Sequence, residues 1–162
     1  MVRRCDMDAG QTGRKEPVVV SFFVPGQPRP GGSKTCFLHP HTKRLIVTDA
    51  GGKPTRDWKS TVKQEAVKYF EKPLQGAISV VVFFEVLRPK NHFSSNKKLG
   101  RHVRKGAPQH PTVRPDATKL WRAAEDALTK IAWLDDSQVV SQLVSKRYSE
   151  RTGMDIYIEE VQ

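Results

Sequence analysis

Acidic side chains are concentrated between Arg114 and Lys146, in a chain whose formal net charge is +11. Asp116 stands at the expected start of a helix, and the pair Asp135-Asp136 follows the end of that helix. Carboxylate oxygens are the ligands that Mg²⁺ prefers, and this ion can neutralise a phosphate, activate water and hold a leaving oxygen. A nearby Arg or Lys stabilises the charge of the transition state. The stretch therefore predicts a site that holds a divalent metal against a DNA phosphate.

Each of these acids also has a simpler interpretation. Asp116 occupies the position of a helix N-cap, and Asp135-Asp136 is typical of a polar turn. Their combination favours the metal site. On a strand that starts at Asp136, alternate side chains share one face, so Asp136, Gln138 and Lys146 are expected to point the same way. If the helix packs on this strand, its first turn approaches the start of the strand and brings Asp116 towards Asp136.

The hydrophobic patterns predict six strands and two main helices. In chain order they are strands over 18–24, 35–38 and 44–48, a helix over 57–70, a strand over 77–87, a helix beginning at 116, and strands over 139–144 and 154–161. The helices show apolar residues at three- and four-residue intervals, and the strands are rich in β-branched and aromatic residues. This order predicts an α+β domain in which two helices pack on one mixed β-sheet.

The domain is expected to cover residues 17–162, because residues 1–16 are polar, lack periodicity and indicate a disordered leader. No apolar run approaches the roughly 20 residues of a membrane span. Arg3 and Arg4 are not followed by the apolar region of a signal peptide. Cys5 and Cys36 are too few for a disulfide framework or a four-ligand zinc site. We therefore expect a cytoplasmic protein without a membrane partner.

The positive charge predicts a polyanionic partner, since the sequence pI is about 9.9 and nucleic acid is the default partner of such a chain. Residues 88–115 contain a cluster of basic residues and no acid. Because 88–112 is also rich in Pro, Gly, Ser and Asn, we expect a mobile loop that orders on DNA. The turn-rich segment 26–34 suits phosphate contact, although an ordinary loop has the same composition. The residues expected to contact DNA are Arg29, Lys34, Lys90, Lys97, Lys98, Arg101, Arg104, Lys105, Arg114 and Lys119.

The segment PDATKLWRAAEDALTKIAWLDDSQVV, with its downstream Lys, resembles the signature of RusA-type Holliday junction resolvases, which are common in phages and prophages. The signature of that family is D-x-D-N-x-x-K, then D-A-L, then D-D-x-Q and a Lys. The match is close over residues 115–146, and the order of the elements over 17–161 is consistent with the family.

The resemblance implies a role for each matching residue. Asp116 and Asp136 correspond to catalytic metal ligands, and Asp126 corresponds to the acid of D-A-L. Lys146 corresponds to the downstream Lys. Arg122 takes the position of the catalytic Lys and is expected to act electrostatically, because a guanidinium does not exchange protons at neutral pH.

The match has two further departures. Thr118 replaces the second Asp of D-x-D, and Lys119 replaces the Asn. Glu125 lies seven residues after Thr118, two helical turns along the same face. We expect Glu125 to supply the missing carboxylate as a metal ligand.

The resemblance implies a homodimeric, Mg²⁺-dependent endodeoxyribonuclease, with Mn²⁺ as a possible substitute. Its substrate is expected to be branched DNA in a bacterial host or a phage-infected cell, resolved by paired cuts during recombination and repair. The alternative is a junction-binding protein that has lost catalysis through the change at Thr118. A third interpretation is a basic RNA-binding module, which leaves the acids unexplained.

Overall fold

The computed structural model describes residues 18–32, 34–49, 51–94 and 102–161. Six strands and two α-helices are present in this part of the chain. They are β1 (Val19–Pro25), β2 (Lys34–Leu38), β3 (Leu45–Asp49), α1 (Gly52–Ala66), β4 (Ala77–Leu87), α2 (Ala117–Leu128), β5 (Val139–Ser149) and β6 (Gly153–Val161). Short 3₁₀ turns lie at Lys90–His92 and Asp136–Gln138.

The main sheet has four strands in the order β1-β6-β4-β5. β6 pairs antiparallel with both β1 and β4, whereas β5 pairs parallel with β4. A parallel pair needs a crossover connection, and α2 is the helix of that crossover. β2 and β3 form a separate antiparallel hairpin. The prediction of an α+β fold with two helices on a mixed sheet is confirmed.

Both helices pack on one face of this sheet. α1 buries Trp58 and Val62, and α2 buries Leu120, with their apolar stripes against inward-facing sheet residues such as Val82 and Phe84. Burial of each such side chain contributes about 1.5–3 kcal/mol. The core therefore fixes α2 against β4 and β5, which is what positions the acids on its outer surface.

The first helix begins five residues earlier than predicted, at Gly52. Pro54 suits the first helical turn, where its missing N–H has no intrahelical partner to lose. The N-cap residue is Gly51, so no side chain caps the helix. The Thr55 hydroxyl is buried and donates to the Pro30 carbonyl over 3.0 Å, which ties the start of α1 to the loop after β1.

A charged network lies on the sheet face away from the helices. Glu85 is 3% exposed and accepts hydrogen bonds from Arg147 (2.6 Å) and Arg151 (2.7 Å). Although burial opposes ionisation, the bonds from the two guanidinium groups dominate and lower the pKa of Glu85 to about 2. Arg147 also stacks on Phe83, and Arg151 on Phe23. The carboxylate thus ties β4 to β5 and to the β5–β6 turn.

Glu85→Gln is expected to lower the free energy of unfolding at pH 7 by about 2 kcal/mol, since charged hydrogen bonds are lost. The folded pKa of about 2 lies below the ordinary 4.5. The stabilisation is therefore present above pH 4.5 and is lost as the pH falls towards 2. Urea unfolding of both proteins at pH 7 and pH 3 measures this, with the exposed Glu150→Gln as control. A difference that does not shrink at pH 3 contradicts the assignment.

The described ends of the 88–112 segment are paired with each other. Phe93 and Val103 form an antiparallel bridge, and the Arg104 N–H donates to the His92 carbonyl over 2.9 Å. Arg88 donates to Pro108 and stacks on Tyr148. The predicted leader and the predicted DNA contacts Lys97, Lys98 and Arg101 lie outside the described residues. In the part of the chain described, no helix is long and apolar enough to cross a membrane.

Candidate active site

The D-D-x-Q segment forms a tight turn rather than the start of a strand. Asp135 accepts a hydrogen bond from the Ser137 N–H over 3.0 Å and caps the 3₁₀ turn at 136–138. The Gln138 side chain accepts from the N–H groups of Leu134 and Asp135 and donates to the carbonyls of Leu74 and Gly76. Two residues of the motif therefore hold the turn against the entry to β4, and the turn presents Asp136 at the surface.

The predicted common face of Asp136, Gln138 and Lys146 is wrong. β5 begins at Val139, after the 3₁₀ turn, and the β4–β5 register shifts at its first pair. Strict alternation of side chains requires continuous extended backbone. Because the turn and the shift interrupt it, the strand pattern cannot be extended back to Asp136.

Asp136 lies at the C-terminal end of α2. The Thr129 hydroxyl at the C-cap is within hydrogen-bond distance of both the Asp136 carboxylate and the Glu125 carbonyl. Burial raises the pKa of Glu125, and the negative charge of Asp136 raises it further. The Trp121 indole N–H lies close enough to lower this pKa somewhat, although it makes no hydrogen bond of normal geometry. The Glu125 and Asp136 carboxylates and the Thr129 hydroxyl thus all lie at the C-terminal end of α2, and such hard oxygen atoms are the donors that divalent cations such as Mg²⁺ take.

Asp116 lies at the opposite end of α2. It occupies the N-cap position, but its side chain makes no capping hydrogen bond and is 58% exposed, 3.6 Å from the Lys119 ammonium. The Lys146 ammonium donates to the carbonyls of Val113 and Pro115 over 2.8 and 2.9 Å. It therefore fixes the segment that precedes Asp116 and adds positive charge there. Capping, the simpler interpretation of Asp116, does not account for this carboxylate.

Asp116 and Asp136 do not meet within one chain. From Asp116 at the N-cap to Thr129 at the C-cap, α2 rises by about 20 Å, and Asp136 contacts Thr129. The sequence-based prediction placed the first turn of α2 next to the start of β5. A short turn instead sends β5 back along α2, so the start of the strand meets the end of the helix. Among the residues described, no three His, Cys, Asp or Glu side chains form a group that could hold a metal ion.

Arg122 projects from the middle of α2, against the loop after β1. The Gly31 N–H donates to the Lys119 carbonyl over 2.8 Å. A Cβ at Gly31 would lie 3.0 Å from that of Ala123, and one at Gly32 would lie 2.3 Å from Cδ of Arg122. The two glycines thus let the loop approach the helix closely, and the loop backbone supports the Arg122 side chain.

Gly32→Ala is expected to displace Arg122 and to strain the backbone, because Gly32 has φ +81°. Loss of stability should be about 1 kcal/mol, with a larger, roughly tenfold loss of DNA cleavage if Arg122 stabilises transition-state charge. Thermal unfolding and junction cleavage measure the two effects. Gly52→Ala is the control for strain alone, since Gly52 has φ +54° and open space around its Cβ position. Equal activity of the two variants contradicts a role for Arg122.

Asp126 has a different environment from the other acids. Its carboxylate accepts a hydrogen bond from Lys59 over 2.7 Å, which forms an ion pair between α2 and α1. We expected a catalytic role from the match to D-A-L. That role stays a prediction, and the structure shows only that the charge of Asp126 is engaged with Lys59.

Residues 25–159 match the sequence model of the family described as endodeoxyribonuclease RusA. The chain belongs to the RusA family. A relative, the uncharacterized protein YqaN of Bacillus subtilis (strain 168), is 35% identical over 88 residues, or 54% of this chain. The matched part spans 61% of the length of that relative.

The RusA motif quoted above departs from the family pattern at Thr118, Lys119 and Arg122, all on α2. Thr118, at the position of its second Asp, is exposed. Glu125 lies beside Asp136 and not beside Asp116, so any compensation takes place at the C-terminal end of the helix. The sequence signalled this acid only through its spacing from Thr118.

Those predicted DNA-contacting residues that the structure describes lie on several separate elements. Arg114 and Lys119 are exposed near Asp116. Arg29 lies on the loop that packs against α2 and donates to Gln27 over 2.8 Å, and Lys34 starts β2. Lys90, Arg104 and Lys105 lie at the described base of the 88–112 segment.

Proposed function

We propose that this RusA family member is a Mg²⁺-dependent endodeoxyribonuclease that resolves Holliday junctions and other branched DNA by paired phosphodiester cleavage. Such an enzyme would serve recombination and repair in the cytoplasm of a bacterial host or phage-infected cell. The observation that carries the proposal is the position of Glu125 and Asp136 at the C-terminal end of α2 in a strongly basic chain, where the charge of Asp136 raises the pKa of Glu125. A negative charge disfavours the ionised form of a neighbouring carboxylate. A divalent cation bound by both carboxylates would offset this repulsion and could also bind a phosphate.

The donor set fits a divalent metal only in part. Glu125 and Asp136 supply hard oxygen ligands, and Thr129 lies beside them, whereas Asp116 is about 20 Å away along α2. When bound, Mg²⁺ would supply charge neutralisation and an activated water for hydrolysis. Mn²⁺ is expected to substitute, since it accepts the same oxygen ligands.

The separation of the two motif acids supports a homodimer. If two copies pair across a two-fold axis that crosses the middle of α2, the helices run antiparallel. The N-terminal end of each helix then lies at the C-terminal end of the other. Asp116 of one copy would complete the site that Glu125 and Asp136 form in the second. A dimer of this kind has two sites, which paired cleavage of two strands requires.

The remaining residues would bind and orient the DNA. Arg122, supported by the Gly31–Gly32 backbone, would stabilise negative charge on the phosphate undergoing attack. Lys146 would hold the segment that presents Asp116. Arg29, Lys34, Arg114 and the basic 88–112 segment would contact the phosphates of the junction arms, which positions the DNA without reading its sequence.

Incubation of the protein with a synthetic four-way junction and Mg²⁺ tests the proposal. We expect symmetrical cuts that leave 5′-phosphates, with linear duplex of the same sequence left intact. Asp116→Asn and Asp136→Asn should each abolish cleavage and retain junction binding. An uncut junction in both Mg²⁺ and Mn²⁺ would overturn the catalytic proposal.

Thr118 favours the second candidate, a junction-binding protein without catalysis. A neutral hydroxyl in place of a carboxylate weakens a Mg²⁺ site. This candidate predicts binding of four-way junctions that Asp136→Asn leaves unaltered, and no cleavage by the wild-type chain.

A further inference from the structure

The hairpin of β2 and β3, residues 34–49, stands apart from the core; we call it the β2–β3 arm. Among the described residues its two strands pair only with each other, not with the four-stranded sheet. An isolated two-stranded hairpin is marginally stable in water. The arm therefore exposes a surface that the domain itself does not use.

One face of the arm is an exposed apolar strip. Leu38 pairs with Leu45, and Cys36 pairs with Val47, so these four side chains lie on the same face. Leu38 is 61% exposed and Leu45 is 65% exposed. This pair is the one next to the turn, so the most exposed apolar residues of the arm lie near its tip.

The turn between the strands is basic and well defined. Residues 39–44 include His39, His41, Lys43 and Arg44, and the arm has no acidic residue from Lys34 to Thr48. The His39 N–H donates to the Arg44 carbonyl over 2.8 Å, and the Lys43 N–H donates to the His39 carbonyl over 2.9 Å. The tip thus combines cationic groups with the apolar Leu38–Leu45 pair.

The base of the arm is anchored beside α2. The loop that leads into β2 is held by the bond from Gly31 to Lys119, and Thr55 of α1 donates to Pro30 in the same loop. Because this loop also supports Arg122, the arm starts at the surface that carries the candidate site.

We propose that the β2–β3 arm inserts into branched DNA at the branch point, an inference that rests on the proposed function. The cationic turn contacts phosphates, and Leu38 with Leu45 packs against bases that have lost their stacking partner. A two-stranded ribbon fits a DNA groove, and apolar wedges are used by proteins to open base steps. The charge favours DNA over a second copy of the chain, since two copies joined by this strip would bring two basic turns together.

The test uses a four-way junction with 2-aminopurine at the branch point, whose fluorescence rises when the base unstacks. The protein carries Asp136→Asn and is studied in Ca²⁺, so cleavage does not interfere. We expect a severalfold rise in fluorescence, which Leu38→Ser with Leu45→Ser reduces severalfold. Val67→Ser, which alters a 60% exposed side chain just after α1, should keep the full rise.

The phosphate contacts are tested by the salt dependence of junction binding. Lys43→Ala with Arg44→Ala should reduce the magnitude of the slope of log K against log salt by about 1–2. Binding releases fewer counterions from the DNA when fewer phosphates are contacted. Lys63→Ala with Lys72→Ala, which removes two exposed lysines elsewhere, should leave this slope unchanged. An unchanged slope for the arm variant would overturn the proposal.

Two other results have distinct meanings. If the Leu38/Leu45 variant still unstacks the base, or if its mass in solution falls from dimer to monomer, the arm is not a DNA-inserting element. If the arm unstacks the base but the wild-type chain does not cut in Mg²⁺, the arm proposal stands and the nuclease proposal fails.

Discussion

A mixture of Asp116→Asn and Asp136→Asn chains is expected to nick a four-way junction that neither variant cuts alone. In a mixed dimer built across α2, one site loses both acids, whereas the other keeps Asp116 from one chain and Asp136 from its partner. Random pairing leaves roughly one quarter of the wild-type sites intact. On a supercoiled plasmid with an extruded cruciform, the mixture should give nicked circles, while the wild-type chain gives linear product.

The matched control combines acids from the same end of the helix. Glu125→Gln mixed with Asp136→Asn leaves no intact site in any dimer, so this mixture should remain inactive. Glu125→Gln mixed with Asp116→Asn should nick, as the first pair does. If neither mixture with Asp116→Asn regains activity, each site lies within one chain and the proposed arrangement of the dimer is wrong.

The sequence was sufficient for the elements of the fold because their periodicities are local. Buried positions can be predicted from the apolar stripe of α2, which includes Leu120. The same is true of the apolar run of β4. The relative orientation of α2 and β5, by contrast, cannot be predicted from a local sequence pattern. It depends on the short turn between Leu128 and Val139, which reverses the chain and places the Asp136 end of β5 at the C-terminus of α2.

Contacts between residues that are far apart in the chain could not be predicted from the sequence either. The ion pair of Asp126 with Lys59 joins residues 67 positions apart, and only the packing of α1 on α2 brings them together. The role of Gly31 and Gly32 was open because a glycine-rich loop has the same composition whether it packs on a helix or contacts DNA. Glu125 was identified by helical spacing, yet its neighbour turned out to be Asp136 and not Asp116.

Glu125→Gln is expected to remove cleavage and to stabilise the fold at the same time. The pKa of Glu125 is raised by burial and by Asp136, so the folded state favours the neutral form. Its stabilising contribution is present below the unfolded pKa and is lost as the pH rises through the folded pKa. At pH 7 the carboxylate therefore destabilises the fold, and a neutral Gln should raise the free energy of unfolding.

The same substitution should reduce junction cleavage at limiting Mg²⁺ by about 100-fold, because a metal ligand is lost. Urea unfolding at pH 7 and pH 4 separates the two effects, since the gain in stability should vanish at pH 4. Glu71→Gln, at an exposed turn after α1, should change neither property. A variant that is stabilised but cuts as fast as the wild-type chain would show that Glu125 is a strained surface acid and not a ligand. The site would then have to function with Asp136 and the Asp116 of a second chain alone.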